Sequence, residues 1–482
     1  MAVVTRIPPG IRQHLLRSLS SLTSPPLNVT EKLAETAAAP PARILDLADT
    51  ERLFASVPTG SLLRSLATLY ALAFDPVVDL GTAVMRSRAV HASRLGGAAV
   101  VAAVRGTVFR HFCAGEGVEE AGRTLRELWE ETGLKGVLDY GLEDASDGAA
   151  CDRNLDGFLK AVEMASSLPP TSVSICVKIT ALCPISLLER ISDLLRWEQK
   201  DPSSHLPWKA LSFPIFSKSS PLYLTPSMPD PLTEEEEHEL QLAHQRLSKL
   251  CERCSEANLP LLIDAEYASV QPAIDYFTYA AAFQFNREDQ PIVYGTIQAY
   301  LRDSKERLVE VVQAAEREGI SFGVKLVRGA YLTRETQLAS SLGVPSPIHE
   351  NIQATHRCYN DCALFMLERV SRGAGAVVLA THNIESAKIA AGMAEELGIR
   401  KGNQNLHFAQ LMGMADGLSL GLRNAGFQVS KYLPFGPVNQ IIPYLLRRAE
   451  ENRGFLSSSA PDRQLLRMEL TRRCKTALVG RV

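Results

Sequence analysis

The sequence predicts an α/β fold, a distorted (βα)8 TIM-like barrel preceded by an N-terminal helical segment. Two observations carry that reading. Short apolar runs rich in β-branched residues recur at 136–140, 174–179, 259–264, 293–297, 322–327, 376–380, 405–409 and 428–433. Amphipathic helical stretches such as 240–257, 305–318, 351–372, 384–397 and 439–452 lie between them. Strands that alternate with helices build a parallel sheet, and eight is the number at which such a sheet closes on itself.

The elements follow in order. From Met1 to Thr30 there is no Asp or Glu, while Arg6, Arg12 and Arg17 sit among Ser, Leu and Pro. A basic, Ser-rich, acid-free start reads as a mitochondrial or plastid transit peptide, so residues 1–30 are set apart from the fold. Residues 31–135 are expected to form a linker, over 31–55, and an N-terminal helical region. Within it, 118–131 places Val118, Leu125, Leu128 and Trp129 at helical spacing. The runs 62–74, interrupted by Arg64, and 95–104 are the most apolar, and both fall short of the ~20 residues that span a bilayer. Each is either a core helix or a membrane-facing patch. The barrel is expected over 136–460. An insertion at 200–233 carries Pro202, Pro207, Pro214, Pro221, Pro226, Pro229 and Pro231, which suit a long loop. The acids Glu234 to Glu237 then open the next helix, where they meet the positive end of its dipole. Residues 461–482 remain as a C-terminal tail.

Bulk properties exclude several classes. The net charge is −3, which gives no bulk attraction to nucleic acid. Nine scattered cysteines fit a reducing compartment better than a disulfide framework. Cys251 and Cys254 have no second pair at zinc spacing, and Cys358 and Cys362 fall one helical turn apart, as core packing does. No GxGxxG follows a strand: Gly373-Ala374-Gly375 lacks the third glycine and precedes one.

In such a barrel the chemistry sits at the carboxyl ends of the strands. The second strand ends at Lys178 and the third at Asp264, with Glu266 beyond. The fourth gives Gln298 and Tyr300. The fifth gives Lys325, Arg328 and Tyr331 around Gly329, which permits a close backbone approach. The sixth gives Thr381, His382 and Asn383; the seventh leads to Gln410 and Leu411; the eighth ends at Tyr432. The helix after it carries Tyr444, Arg447, Arg448 and Glu451. Paired guanidiniums grip a carboxylate through a planar fork that Lys lacks, and Glu451, three residues after Arg448, is placed to hold that side chain. A basic surface helix end is the plain alternative. Two cations flanking Gly329 suit a pyrophosphate or an electron-accepting ring; a strand-end turn with surface charges is the alternative there. A strand-end lysine such as Lys178 is also what Schiff-base lyases use, and a catalytically inactive scaffold is a further possibility.

Read in sequence, Val177-Lys178-Ile179-Thr180, Ile263-Asp264-Ala265-Glu266, Gln298-Ala299-Tyr300, Leu326-Val327-Arg328-Gly329-Ala330-Tyr331, Ala380-Thr381-His382-Asn383, Gln410-Leu411-Met412-Gly413, Lys431-Tyr432-Leu433-Pro434 and Tyr444-Leu445-Leu446-Arg447-Arg448 resemble the proline dehydrogenase family. The resemblance runs from about Val137 to Asn452, and it is to the monofunctional mitochondrial type with a plant-like character. It implies FAD held at the strand ends without a dinucleotide-binding domain. It implies L-proline as substrate, oxidised to pyrroline-5-carboxylate by hydride transfer from ring carbon C5 to flavin N5. Electrons would pass to ubiquinone at a peripheral site on the matrix side of the mitochondrial inner membrane, with functional coupling to pyrroline-5-carboxylate dehydrogenase.

The resemblance also implies roles. Lys178, Asp264 and Tyr432 would form the catalytic core, Asp264 fixing the Tyr432 ring. Arg447 and Arg448 would clamp the proline carboxylate, steadied by Glu451 and supported by Lys178. Leu411, Tyr432 and Tyr444 would wall the pyrrolidine. Gln298, Lys325, Arg328, Gly329, Tyr331, Thr355, Thr381, His382 and Asn383 would contact FAD. Some bacterial relatives carry Arg where Lys325 stands, so Lys325 keeps the charge and loses the fork. Hydroxyproline dehydrogenases, the alternative activity, carry a smaller residue at the position of Tyr432.

Overall fold

The computed structural model describes residues 45–86, 94–169, 171–286, 290–453 and 459–479. The expected transit peptide and most of the expected linker lie outside them. Residues 45–54, the end of that linker, pack inward, with Leu45, Leu53 and Phe54 buried in the main core.

Eight parallel strands close into a barrel in sequence order. They are β1 (Lys135–Tyr140), β2 (Val173–Val177), β3 (Leu261–Ile263), β4 (Val293–Gln298), β5 (Gly323–Val327), β6 (Ala376–Ala380), β7 (Leu406–Leu411) and β8 (Gln428–Phe435). Every expected run is a strand. The ring closes by β1 pairing with β8, Val137 opposite Tyr432.

Alternation along each strand separates two environments. Outward residues such as Ile175, Ile263, Val324, Leu379 and Phe408 join the layer between sheet and helices. Inward residues Val137, Cys176, Leu262, Tyr294, Val378 and Ala409 fill the barrel. Further inward positions along these strands and β5 are Lys178, Asp264, Gln298 and Lys325, which line the cavity. The apolar plug thus gives way to charge at the carboxyl end.

Before the barrel lie α1 (Thr59–Ala73), α2 (Asp75–Arg86), α3 (Arg94–Val104) and α4 (Val118–Thr132). Gly133, at φ 65°, ends α4 in the left-handed conformation that favours glycine. The barrel helices are α5 (Gly148–Ser166), α6 (Ile185–Lys200), α7 (Glu234–Glu256), α8 (Gln271–Phe285), α9 (Ser304–Arg317), α10 (Leu332–Ser341), α11 (Ile352–Ser371), α12 (Ile384–Glu396), α13 (Asp416–Asn424) and α14 (Val438–Asn452). The acids at 234–237 do open α7: Thr233 and Glu236 form a reciprocal capping box there.

Residues 201–233 contain no helix or strand, and the loop is firmly seated. The Tyr276 hydroxyl accepts from the Ala210 backbone at 2.8 Å, and Phe213 packs among Tyr279, Phe283 and Phe322. The expected tail is largely a helix, α15 (Ala460–Val479).

Helix α14 is held from outside by the N-terminal helices. Val438, Ile441, Leu445 and Ala449 form one stripe and share a core with Leu72 of α1, Val78 of α2 and Val104 of α3. That packing turns the stripe Tyr444, Arg447, Arg448 and Glu451 toward the barrel mouth. The run 62–74 is half buried: Leu62, Leu69 and Leu72 point into the core, while Leu63, Tyr70 and Phe74 are exposed. No single helix among the described residues is long and apolar enough to cross a membrane.

Candidate active site

A cavity of about 1210 Å³ opens at the carboxyl end of the barrel. Its lining includes Lys178, Asp264, Gln298, Lys325, Arg328, Gly329, Tyr331, Thr381, His382, Asn383, Leu411, Tyr432, Tyr444, Arg447, Arg448 and Glu451. Those residues come from seven strand ends and α14. The closed sheet brings them together; nothing in their sequence spacing does.

The floor is a compact charge network. Lys178 Nζ lies 3.3 Å from Asp139 Oδ2 and 3.4 Å from Asp264 Oδ2. Lys325 pairs with the other oxygen of Asp264. The Tyr432 hydroxyl donates to Asp264 Oδ2 at 2.8 Å, and the Cys176 thiol donates to Oδ1 at 3.1 Å. Burial alone would raise the Asp264 pKa, but Lys325 and Lys178 outweigh it and hold the carboxyl well below the usual range. Asp264 is therefore a fixed anion that locks the Tyr432 ring. In the barrel register Leu411 is the partner of Tyr432, so the two present one wall.

Lys178 bears on the choice of chemistry. Burial lowers its pKa, but Asp139 and Asp264 reverse the shift and hold it well above the ordinary value. A lysine kept as an ammonium between two carboxylates is a poor nucleophile, which counts against a Schiff-base lyase.

The arginine helix is equally ordered. Arg448 is buried and pairs with Glu451, and its guanidinium lies 4.7 Å from the Tyr444 ring centroid. Arg447 presents both terminal nitrogens to Glu143, at 3.2 and 3.3 Å. Its fork thus already grips one carboxylate side-on. Burial raises the Glu143 pKa, yet Arg447 and Lys178 bring it below normal.

Several expected cofactor residues prove to be committed partners. Arg328 donates to His356 Nδ1 at 3.0 Å and to Thr381 Oγ1 and Ser386 Oγ, each at 2.7 Å. It braces β5 against β6, α11 and α12. Gln298 Nε2 donates to the Glu266 carbonyl at 2.7 Å. Asn383 caps α12, its side chain accepting from the Ser386 N–H. His382 Nε2 accepts from the Leu411 N–H at 3.0 Å, and burial with nearby cations pushes its pKa down to about 3, so the ring is neutral. Gly329 lines the cavity with φ at 132°, and a Cβ there would come 2.4 Å from the Tyr300 ring. The Tyr300 ring leaves no space for a larger residue there.

Thr355 is a correction. It does not line the cavity: it is buried on the α11 stripe with Cys358 and Tyr359, one helical turn on, and Cys362, two turns on. The next residue, His356, faces the cavity instead. The strand-end reading begins at β2 and so passes over Asp139 in β1 and Glu143 just beyond it. The acids after β1 were the available signal. Pro461, Gln464 and Leu465 of α15 also line the cavity, and no motif marks them.

Glu266 carries a separate consequence. Buried beside Thr180, whose hydroxyl donates to it at 2.8 Å, it has its pKa raised by burial to about 8. The folded protein then keeps a proton that the unfolded chain releases above a carboxyl pKa of ~4.3. Stability is expected to fall as pH rises from ~4.3 to about 8 and then level off. Glu266→Gln should flatten that decline. Thermal melts of both proteins across pH 5 to 9 check it, and parallel curves would refute it.

A closed parallel barrel with a lysine–aspartate floor and an arginine-bearing helix at its mouth defines a class: parallel (βα)8 barrels whose carboxyl-end cavity is lined by paired charges. The proline dehydrogenase family model matches residues 121–460, and the chain belongs to that family, hence to the oxidoreductases. It is 57% identical to proline dehydrogenase 1, mitochondrial, of Arabidopsis thaliana, over 89% of this chain and 86% of the relative. It is 34% identical to hydroxyproline dehydrogenase of Bos taurus, over 88% of this chain and 91% of that one. Among solved structures, proline utilization A of Bdellovibrio bacteriovorus superposes with a TM-score of 0.58 at 22% identity. That match covers 81% of this chain and 36% of the larger protein, and it bears on the fold alone.

Proposed function

We propose that this chain oxidises L-proline to pyrroline-5-carboxylate, with FAD as its cofactor and ubiquinone as the final acceptor, in the mitochondrion. The observation that carries the reading is that the Arg447–Arg448 pair and the hydrogen-bonded Asp264 and Tyr432 line one and the same cavity. A carboxylate held by the pair would place a small ring against Tyr432, Leu411 and Tyr444.

The cavity fits the cofactor. Drug-sized ligands occupy pockets of ~300 to 1,000 Å³. At about 1210 Å³ this one has room for a dinucleotide beside a small amino acid. Gln298, Lys325, Tyr331, Thr381 and His382 would hold FAD, with Arg328 and Asn383 shaping the wall behind it. When bound, FAD supplies the acceptor for the hydride leaving the proline ring. The protein's own residues do the positioning on which close approach depends. Arg447 and Arg448 fix one end of the substrate, and Tyr432, held by Asp264, sets the tilt of the ring. Lys178 and Lys325 bring two ammonium groups to the floor, held there by Asp139 and Asp264. The ring nitrogen gives its proton to solvent, since the carboxylates of the floor are already committed to lysines.

The relatives' names support a mitochondrial site. Peripheral contact with the inner membrane is supported by Leu63, Phe74, Val77 and Leu80, all exposed on or between α1 and α2. Coupling to pyrroline-5-carboxylate dehydrogenase follows from the product. The test is an anaerobic visible spectrum before and after L-proline. Flavin bands that bleach support the reading; a protein that takes up no flavin overturns it.

Tyr432 favours proline over 4-hydroxyproline, because a phenol locked by Asp264 at 2.8 Å has little freedom to make room for a hydroxyl. We expect kcat/KM for proline to exceed that for hydroxyproline by at least ~10-fold, the scale of one misfitting group in a packed pocket. Tyr432→Ser should narrow the ratio. A preference for hydroxyproline in the unaltered protein would refute the steric argument.

A further inference from the structure

We propose that the adenine ring of FAD lies against a wall built by the 45–47 segment and α15, outside the motifs of the barrel. This rests on the FAD reading above and extends it to residues that nothing else marks.

The cavity runs past the strand ends to Leu47, Ile384, Pro461, Gln464 and Leu465. Helix α13 brings two of these segments side by side. Gly417 and Gly421 stand one turn apart on its surface. A Cβ on Gly417 would lie 2.6 Å from Leu465 Cδ1, and one on Gly421 would lie 2.4 Å from Leu47 Cδ2. Each leucine tip thus rests directly against a glycine of α13, where a Cβ would push it aside. Asp462 ties α15 to the same helix, its carboxylate accepting from the Asp416 and Gly417 N–H groups at 3.2 and 3.1 Å. Leu466 and Glu469 are buried behind the wall, so the surface is fixed by the fold.

The chemistry of that surface selects its ligand. Leu47, Ile384 and Leu465 are only half buried, leaving apolar area facing an interior cavity. Gln464 adds one amide, which both donates and accepts. A flat heteroaromatic base matches an apolar face with one such edge contact, whereas a diphosphate needs cations. Lys388, on the α12 side of the same cavity and held by Glu385 at 3.0 Å, supplies one next to the wall.

The test compares FAD with FMN, which lacks the adenylate, by fluorescence titration of the flavin-stripped full-length protein. Leu465→Asp should weaken FAD by at least ~10-fold, the scale of losing one buried leucine contact. Gln464→Ala, an exposed position that leaves the fold alone, should weaken it ~5-fold, the scale of one hydrogen bond. FMN affinity should stay within ~2-fold in both, and melting of the flavin-free proteins checks folding. Equal losses for FAD and FMN in Gln464→Ala, or no loss of FAD, would overturn the assignment. An unaltered protein that binds neither flavin would instead bring down the FAD reading itself, and the adenine wall with it.

Discussion

Arg447→Met is expected to raise the KM for proline by ~100-fold while the FAD content of the purified protein stays near that of the unaltered enzyme. The fork of Arg447 engages the Glu143 carboxylate through both terminal nitrogens, at 3.2 and 3.3 Å. A substrate carboxylate would take the same two donors. Hydrogen bonds to a charged group contribute ~1.5 to 3 kcal/mol each, and methionine keeps the bulk without the donors. A loss of ~2.7 kcal/mol is ~100-fold in affinity. The effect should fall mainly on KM, because the hydride-accepting end of the cavity is untouched. Steady-state kinetics with a flavin absorbance ratio checks both halves. An unchanged KM would remove Arg447 from the clamp; lost flavin with unchanged KM would move it to the cofactor.

The second large effect is expected at Asp264→Asn. Asp264 touches both lysines, Tyr432 and Cys176. The amide keeps the shape but strands Lys325 and weakens the hold on Lys178, both buried. Removing one partner of a buried pair costs ~3 to 5 kcal/mol. The sign with pH follows from the depressed pKa of Asp264. Its pairing stabilises the fold above the unfolded carboxyl pKa of ~3.9 and is lost only as pH falls below it. The variant should therefore melt lower throughout neutral pH, with the gap closing in acid. It should also lose kcat, since Tyr432 is no longer fixed. Asp264→Asn with unchanged melting at pH 7 would mean the network contributes nothing to stability. Full kcat would remove the orienting role given to Asp264.

Much of the site was legible because strand ends are legible. A run such as Val173–Val177 announces a strand through its β-branched and apolar residues, and the next residue, Lys178, then has to lie at the mouth of the barrel. The same logic located Asp264, Gln298, Lys325 and Tyr432. The pairing of Arg448 with Glu451 followed from helical spacing alone. Thr355 failed for a reason of rotation: one residue along α11 separates the buried stripe from the cavity face, and spacing did not settle which side faces in.

The order of eight strands, the charged rim and the arginine helix were determined by the sequence itself, through periodicities of two and 3.6 residues that any local stretch carries. Only the tertiary structure decided which rim charges neutralise one another. Asp139, Lys178, Asp264 and Lys325 lie far apart in the chain and meet because the barrel closes. It also decided that Glu143 faces Arg447, that the N-terminal helices turn α14 toward the mouth, and that α15 walls the cavity. Contacts of that kind depend on how separate elements pack, and no local pattern in the chain encodes their meeting.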